Sequence, residues 1–297
     1  MFTTRVAPLA GFGNCLWLDN GVVELAVTLD MGPRILYYGL REGENMLKIY
    51  DEQENAAFAG EAFQPLGGHR MGYYLGADDR YCLPDDGPVE YEQIEGGARF
   101  TQKPDEGTGM RKILEITLRP GSSEAVIRHI LRNESGKECL CAPCSVTIME
   151  EGGLEVIPQP CSDTSPRPNR MIAVWPYANM ADPRVLWGHQ YILLQQASMK
   201  RFKLGLSAEQ GWVSYFNMGN LFVLRFAPEK GALYPDRGCS FETYTCEDMT
   251  DLEVLAPLRP LAPGETAQYE MSFTIFADVD CPPVDEFAVW QELNTIL

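Results

Sequence analysis

Residues 175–180 read Trp-Pro-Tyr-Ala-Asn-Met, and this hexapeptide says more about the fold than any other stretch of the chain. Three other segments stand in order around it: Leu-Asp-Met-Gly-Pro-Arg-Ile at 29–35, Gly-Gly-His-Arg-Met-Gly at 67–72, and Gly-Cys-Ser-Phe-Glu-Thr-Tyr-Thr at 238–245. The chain thus runs from two early arginine segments, through a central Pro-Tyr-x-Asn, to a late strand that carries a glutamate. Each segment is short, and what points to a fold is the order of an early arginine segment, the central Pro-Tyr-x-Asn and the late glutamate strand.

Short apolar runs rich in Val, Ile, Tyr and Phe, bounded by Gly, Pro, Asn and Asp, are typical of β-strands and recur along the chain. They predict strands at 22–29, 34–40, 112–119, 125–132, 144–150, 191–195, 212–216, 221–226, 239–245, 252–255 and 267–276. Only near the C-terminus do apolar residues fall at helical spacing, at Phe287, Val289, Trp290, Leu293 and Ile296. So many strands with one terminal helix predict an all-β protein of two packed antiparallel sheets.

No linker or abrupt change of composition divides the chain, so we expect one domain over residues 1–297. The stretch 51–63 is acidic, rich in alanine and without apolar periodicity, and we expect it to be a surface excursion.

The net charge of −18 argues against a nucleic-acid partner, because phosphates need a basic surface. An anionic membrane surface would be repelled for the same reason, and no stretch approaches the roughly 18 consecutive apolar residues of a membrane helix. The first residues lack the apolar run of a signal peptide, and nine scattered cysteines do not suit a secreted disulfide framework. We therefore expect a cytoplasmic protein that binds a neutral or weakly charged small molecule.

The hexapeptide resembles the His-Pro-Tyr-Phe-Asn-Leu segment of galactose mutarotases (aldose 1-epimerases), with Trp175 where that family keeps its catalytic histidine. The segment 238–245 is similar to the strand that presents the family's general base as Glu-Pro-x-Thr. Residues 67–72 and 29–35 fall where the family has its Gly-Arg-x-x-Asn-Arg segment and its Gly-x-x-Ile turn. The resemblance covers nearly the whole chain and implies a divergent, bacterial branch with a large mutarotase-like β-sandwich and a short C-terminal helix.

What the resemblance implies for chemistry is the interconversion of sugar anomers by acid–base ring opening, with Glu242 as the base and no cofactor. A base removes the proton of the anomeric hydroxyl while an acid protonates the ring oxygen, which is typically worth ~100- to 10,000-fold when both groups are positioned. Strand alternation would place Ser240, Glu242 and Tyr244 on one face, so the carboxylate has hydroxyl neighbours. The alternative for Glu242 is a solvated position on an exposed sheet face.

The acid must come from elsewhere, because Trp175 cannot titrate and its indole N–H can only donate a hydrogen bond. Trp175 would either stack on a pyranose ring or fill the core. Of the three histidines, His69 lies between glycine and arginine in a turn-like segment and is our candidate acid. His189 follows the hexapeptide closely and is a candidate for the same cleft, whereas His129 alternates with apolar residues as a core histidine would.

Arg70 and Arg34 carry planar donors suited to hydroxyls or carboxylates, and either could instead pair with one of the many acids. Lys203 could join them in a basic patch. Tyr177 and Asn179 are carried over from the family motif as ligand-binding residues, although Asn179 could equally stabilise its own loop. Asp236, in the loop before the Glu242 strand, is a further ligand candidate or a turn residue.

Two other kinds of site have partial signals in the sequence. Cys141 and Cys144 form a Cys-x-x-Cys, but no second pair follows at zinc-site spacing, so no metal is predicted. A glycosidase needs two flanking carboxyls; the pairs at 78–79 and 85–86 could supply one, although their Gly, Pro and Arg neighbours suggest solvated loops. The main alternative to an epimerase is a carbohydrate-binding protein without catalysis.

Overall fold

The computed structural model describes residues 2–51, 66–76, 80–82 and 84–297 of the chain, without the side chain of Arg80. Within these ranges the backbone forms 22 strands and a C-terminal helix, and the strands belong to two antiparallel sheets. The larger sheet contains β1 (Thr3–Leu9), β2 (Gly13–Asp19), β3 (Val23–Thr28), β4 (Arg34–Leu40), β5 (His69–Leu75), β6 (Arg80–Cys82), β11 (Cys139–Glu150), β13 (Ile172–Val174), β16 (Phe202–Leu206), β19 (Phe241–Thr245), β20 (Met249–Leu255) and β21 (Arg259–Leu261).

The smaller sheet contains the remaining strands, and the helix follows its last one. These elements are β7 (Val89–Ile94), β8 (Gly97–Gln102), β9 (Met110–Leu118), β10 (Ala125–Asn133), β12 (Leu154–Pro158), β14 (Val185–Trp187), β15 (Tyr191–Gln195), β17 (Trp212–Asn217), β18 (Asn220–Phe226), β22 (Thr266–Phe276) and α1 (Glu286–Ile296). Asp285 caps α1 by accepting from the Ala288 N–H, and the helix buries Val289 and Leu293. The all-β class, the two antiparallel sheets and the terminal helix confirm the prediction from sequence.

Strands distant in sequence are neighbours in the larger sheet. Its order from β4 to its last strand is β4-β5-β11-β20-β19-β16-β13, so the segments singled out in the sequence lie along this one run of strands. All eleven predicted strands exist, and β4 and β15 have the predicted ends; most others differ by one to five residues. The predicted surface excursion lies, apart from Asp51, outside the described residues, and the single domain over 1–297 stays a prediction.

Alternation along each strand divides the larger sheet into an inner face, against the smaller sheet, and an outer face. The inner face is marked by His69 on β5, whose ring contacts His129 on β10 of the other sheet. Residues in step with His69, such as Met71 and Tyr73, join the main hydrophobic core between the sheets. Residues out of step with it, such as Arg70 and Tyr74, therefore point to the outer face.

Candidate functional site

A cluster of charged side chains lies on the outer face, where β16, β19 and β20 are neighbours. On β19, Phe241 belongs to the core between the sheets, which leaves Glu242 for the outer face. On β20, Leu252 and Val254 belong to the same core, so Glu253 shares the outer face. Glu242 and Glu253 are direct partners across the ladder. Strand alternation and the register of the β19–β20 pair together put two carboxyls side by side.

Lys203 on β16 connects these two carboxyls. Its Nζ lies 2.8 Å from Glu242 Oε2 and 2.7 Å from Glu253 Oε1. The lysine side chain is 14% exposed, and Glu242 is fully buried. Because like charges directly opposite each other destabilise a sheet, the ammonium between the carboxyls is what allows Glu253 beside Glu242.

The residue opposite Glu242 is Gly205, where any side chain would force its neighbours to move. A Cβ at this position would lie 2.6 Å from Cys239 Sγ and 3.1 Å from Glu242 Cγ. The missing side chain leaves room for the side chain of Glu242, whose Oε2 lies 2.8 Å from Nζ of the diagonal residue Lys203.

Burial and neighbouring charge shift the protonation of this cluster. The pKa of Glu242 is raised to about 9, first by burial and then by the charge of Glu253. Burial and Glu253 also raise the pKa of Asp251, the cross-strand partner of Tyr244, well above its ordinary value. Burial works against the ammonium of Lys203, but the charges of Glu253 and Glu242 outweigh it and raise its pKa. The site therefore holds its protons tightly, on the lysine and on a carboxyl.

Trp175, at the start of the hexapeptide, packs beside Lys203. It directly follows β13, and its backbone N–H donates to the backbone carbonyl of Lys203 at 3.4 Å. The Lys203 ammonium lies 4.7 Å from the centre of the indole ring, a cation–π contact. Trp175 is half-buried and does not fill the core between the sheets. Its ring forms one wall of the charged cluster.

Tyr177 and Asn179 sit further out on the same loop. Tyr177 is 36% exposed, and the Arg201 guanidinium stacks 4.4 Å from its ring centre. Asn179 accepts from the Ala181 N–H at 3.0 Å, so its side chain stabilises its own turn, one of the two alternatives that the sequence left open.

Arg34 and Arg70 share one carboxylate. Arg34 Nε donates to Asp85 Oδ2 at 2.7 Å, and Arg70 Nη2 donates to Asp85 Oδ1 at 2.8 Å. All three side chains are buried, and burial together with Arg70 lowers the pKa of Arg34 to about 10. The expectation that 85–86 is a solvated loop pair is therefore wrong for Asp85, which ties two buried arginines together; Asp86 is exposed. The pair at 78–79 lies outside the described residues.

Asp236 lies near the cluster through Tyr74. The Tyr74 hydroxyl on β5 donates to Asp236 Oδ2 at 2.7 Å, and the charge of Asp236 contributes to the raised pKa of Glu242. Asp236 adopts φ 46°, an αL turn geometry that Asp tolerates. It is thus a turn residue that also borders the site.

The placement of His69 corrects the expectation that it supplies the acid. His69 is fully buried between the sheets, with Nδ1 2.9 Å from Thr147 Oγ1 and Nε2 2.8 Å from His129 Nε2. Burial lowers its pKa to about 3, so the ring is neutral at physiological pH. Its neighbour Arg70 points to the outer face, and strand alternation turns His69 away from Glu242. His129 is the core histidine that its sequence pattern predicts.

His189 also lies away from Glu242. It is exposed on the turn between β14 and β15 of the smaller sheet, where its carbonyl accepts from Arg170 Nη2 at 2.7 Å. All three histidines of the chain are therefore accounted for, and none shares the outer face with Glu242.

Sequence reasoning missed the parts played by Glu253, Asp251 and Tyr74, and gave Lys203 only a place in a basic patch. A signal for the first two was present: Asp-Leu-Glu-Val-Leu at 251–255 alternates acids with aliphatic residues, so both acids share a face. No signal in the sequence showed that this strand is paired with the Glu242 strand in this register.

Metal-binding clusters and membrane-spanning helices are both missing from the part of the chain that the structure describes. No group of three or more His, Cys, Asp or Glu side chains is arranged to hold a metal ion in those ranges. No helix in the same ranges is long and apolar enough to cross a membrane.

Comparison with known proteins identifies the fold. No protein-family model matches the chain, and no curated protein matches its sequence. Solved structures do match: a galactose mutarotase-like protein from Lactobacillus casei has a TM-score of 0.60 at 9% identity, covering 88% of this chain and 100% of that one. A candidate aldose 1-epimerase from Escherichia coli K12 has a TM-score of 0.58 at 11% identity, covering 93% and 100%. Another from Klebsiella pneumoniae has a TM-score of 0.59 at 12% identity, covering 99% and 86%.

These likenesses show that the chain has the galactose mutarotase-like fold, as its sequence segments predicted.

Proposed function

We propose that this protein interconverts the anomers of an aldose, with Glu242 accepting the proton of the anomeric hydroxyl. The observation that carries the proposal is Glu242 itself, a buried carboxyl on the outer face of a mutarotase-like fold. Lys203 lies 2.8 Å from its Oε2, and Oε1 has no hydrogen-bond donor among the described residues. A buried carboxylate oxygen without a donor is costly, and a ligand hydroxyl would supply that donor.

The reaction needs groups that exchange protons while a C–O bond breaks. When the anomeric hydroxyl loses its proton, the bond from C1 to the ring oxygen breaks and an aldehyde forms. Rotation about the C1–C2 bond and reclosure then give the other anomer. A base whose pKa lies near the working pH serves both directions well, because it must accept and then return the same proton. Burial and the charge of Glu253 raise the pKa of Glu242, so its carboxylate, once ionised, is a stronger base than an ordinary glutamate.

The surroundings of Glu242 suit a polyhydroxylated ring. Trp175 offers a flat apolar surface of the kind that packs on a pyranose face, and Tyr177 is an exposed aromatic on the same loop. Arg70, Tyr74 and Asp236 supply fixed polar groups at the other side of the cluster. We propose a sugar or sugar derivative as the ligand, and the cytoplasm as the place where the protein works.

A carbohydrate-binding protein without catalysis is the second candidate. It is favoured by one observation, namely Trp175 in the place of the family's histidine together with the absence of any histidine on the outer face. Binding needs only the aromatic wall and the hydrogen-bonding groups, whereas catalysis needs the proton to move.

Exchange NMR of anomeric interconversion, over a panel of neutral and acidic aldoses, separates these candidates. We expect exchange faster than in buffer, and we expect Glu242→Gln to remove the acceleration while sugar-induced chemical shift changes persist. Glu90→Gln, an exposed glutamate on β7, is the matched control and should behave as wild type. Sugar-induced shifts without accelerated exchange in the wild type would contradict the epimerase and support the binding protein.

A further inference from the structure

The outer face of the larger sheet lacks the family's histidine acid but contains an ammonium beside the proposed base. We propose that Lys203 is the proton donor of this site: held by Glu253 against the ring of Trp175, it protonates the ring oxygen while Glu242 takes the anomeric proton. This inference rests on the proposed function. It names a group for the one role that the family motif leaves empty in this chain.

The two oxygens that exchange protons lie close together in the sugar. The anomeric oxygen and the ring oxygen are bonded to the same carbon, so the base and the acid must act on atoms that are close together. Glu242 Oε2 and Lys203 Nζ are 2.8 Å apart on the same face of the sheet. Ligand oxygens that replace this direct contact would meet an acceptor and a donor side by side.

The Lys203 ammonium has one more hydrogen than it has carboxylate neighbours in the described part of the chain. An ammonium has three hydrogens, and among the described residues Lys203 has two carboxylate neighbours, Glu242 and Glu253. One hydrogen is left for a ligand oxygen. Trp175 covers another side of the ammonium without accepting a full hydrogen bond, and so fixes its place without using that hydrogen.

The charge of Glu242 links the two proton transfers. When Glu242 is ionised and ready to act as the base, two carboxylate charges hold the proton on Lys203. When Glu242 takes the anomeric proton it becomes neutral, and one of these charges disappears at a distance of 2.8 Å. The pKa of Lys203 must then fall, because one of the two carboxylate charges that raised it is gone. Acceptance at Glu242 thus makes Lys203 a better donor at the moment when the ring oxygen needs a proton.

The step is balanced. The anomeric O–H proton moves to Glu242, the electrons of that bond form the C1=O1 double bond, and the C1–O5 bond pair goes to O5. O5 takes a proton from Lys203 Nζ, which leaves a neutral amine and a neutral carboxylic acid. Ring closure on the other face of C1 returns both protons to where they began.

Other donors in the neighbourhood fit less well. The guanidinium of Arg70 does not release its proton in proteins, and His69 faces the opposite side of the sheet. Tyr244 lies directly opposite Lys203, but its ring packs against a small hydrophobic cluster that includes Tyr50 and Met249.

The test compares Lys203→Met, Lys203→Arg and Lys203→Ala in the anomeric exchange assay, with exposed Lys103→Met as the matched control. We expect Lys203→Met to lose ~100- to 10,000-fold in rate, the usual worth of one positioned acid. Lys203→Arg keeps the charge and the sugar-induced shifts but should lose rate similarly, because arginine holds its proton. Small primary ammonium ions should restore part of the rate to Lys203→Ala, and stronger acids should restore more.

The outcomes that overturn the inference are distinct from failure of the proposed function. If wild-type exchange is accelerated and depends on Glu242, but Lys203→Arg turns over like wild type, the lysine acts only as a charge and the inference falls alone. The inference is also overturned if Lys203→Met loses rate but no ammonium ion restores rate to Lys203→Ala. That result would mean that Lys203 has a structural role, because an added acid cannot replace a structural contact. If the wild type shows no acceleration, the proposed function and this inference fall together.

Discussion

Glu242 and Glu253 are direct cross-strand partners, and both carboxyls lie on the outer face of the larger sheet. Two carboxylates in this relationship repel each other, and a single ammonium, Lys203, lies within 2.8 Å of both. The pair is therefore held by a shared cation rather than by separate partners. Removing any one of the three groups changes the protonation of the other two, and this coupling is open to measurement.

The first prediction concerns Glu253→Gln. Glu253 is the main charge that raises the pKa of Glu242, after burial. Because Glu242 works as a base only when ionised, the proposed activity should increase as the pH rises toward about 9. Glu253→Gln should move this increase in activity to lower pH. A shift of the profile by one pH unit downward means about tenfold more ionised Glu242 at neutral pH. The measurement is the pH dependence of anomeric exchange; a profile at the wild-type position would contradict the coupling.

A second prediction concerns the indole of Trp175. Trp175→Ala removes the surface against which Lys203 rests, a contact typically worth about 0.5–2 kcal/mol. We expect weaker sugar binding and slower exchange, whereas Trp175→Phe should keep most of both because it retains a ring. NMR titration gives the affinity, and Trp290→Ala on helix α1 is the control. Equal behaviour of the Ala and Phe variants would show that the ring face has no part in the site.

The carboxylate of Asp85 gives a third prediction, on stability. Asp85→Asn leaves two buried guanidinium groups without their shared partner, and breaking a buried ion pair typically costs about 3–5 kcal/mol in the free energy of unfolding. Denaturant unfolding measures this loss, and exposed Asp86→Asn should unfold like wild type.

Asp85 also predicts a pH effect. Burial opposes ionisation, but Arg34 and Arg70 outweigh it and lower the pKa of Asp85 in the folded state. The folded protein therefore resists protonation at Asp85 more than the unfolded chain does. This contribution to stability is present above the unfolded pKa of about 3.9 and is lost as the pH falls through the lower folded value. Asp85→Asn should show a shallower loss of stability in that acid range.

A fourth prediction separates the core histidines from the site. His69→Asn breaks the contacts with His129 and Thr147 inside the sandwich, and an unsatisfied buried partner costs about 1–3 kcal/mol in the free energy of unfolding. The pH profile of exchange should stay at the wild-type position, because His69 lies on the inner face. A displaced profile would return His69 to the catalytic site.

The same variant should alter the acid stability. Burial lowers the pKa of His69 to about 3 in the folded protein, so the unfolded chain takes up a proton near pH 6.5 that the folded chain refuses. Wild-type stability must fall as the pH drops from about 6.5 toward 3. His69→Asn should show a shallower fall, measured by denaturant unfolding at several pH values.

The strands were largely predictable because their signals are local. Alternation along residues 241–245 and 251–255 depends only on which neighbours are apolar, and the turn residues between strands mark their ends. Helix α1 was predictable for the same reason, although two of its five periodic residues, Phe287 and Trp290, are exposed. Short strands such as β13 and β14, with three residues each, carry too little pattern to be found.

The site was less predictable because it depends on pairing across long stretches of chain. His69 and Arg70 are adjacent in sequence, and a shift of one residue in register would have exchanged their faces. Nothing in the segment 67–72 specifies that register. The partner of Lys203 at position 253 is 50 residues away, and that of Arg34 at position 85 is 51 residues away.

The sequence by itself determined the class and the fold, and it placed Glu242 among polar neighbours, because strand period, turn chemistry and segment order are written in consecutive residues. Only the tertiary structure decided that Trp175 is a wall for an ammonium, that His69 faces the core, and that Lys203 joins Glu242 to Glu253. These relationships follow from which strands are neighbours and in which register, and those are set by the packing of the two sheets as a whole.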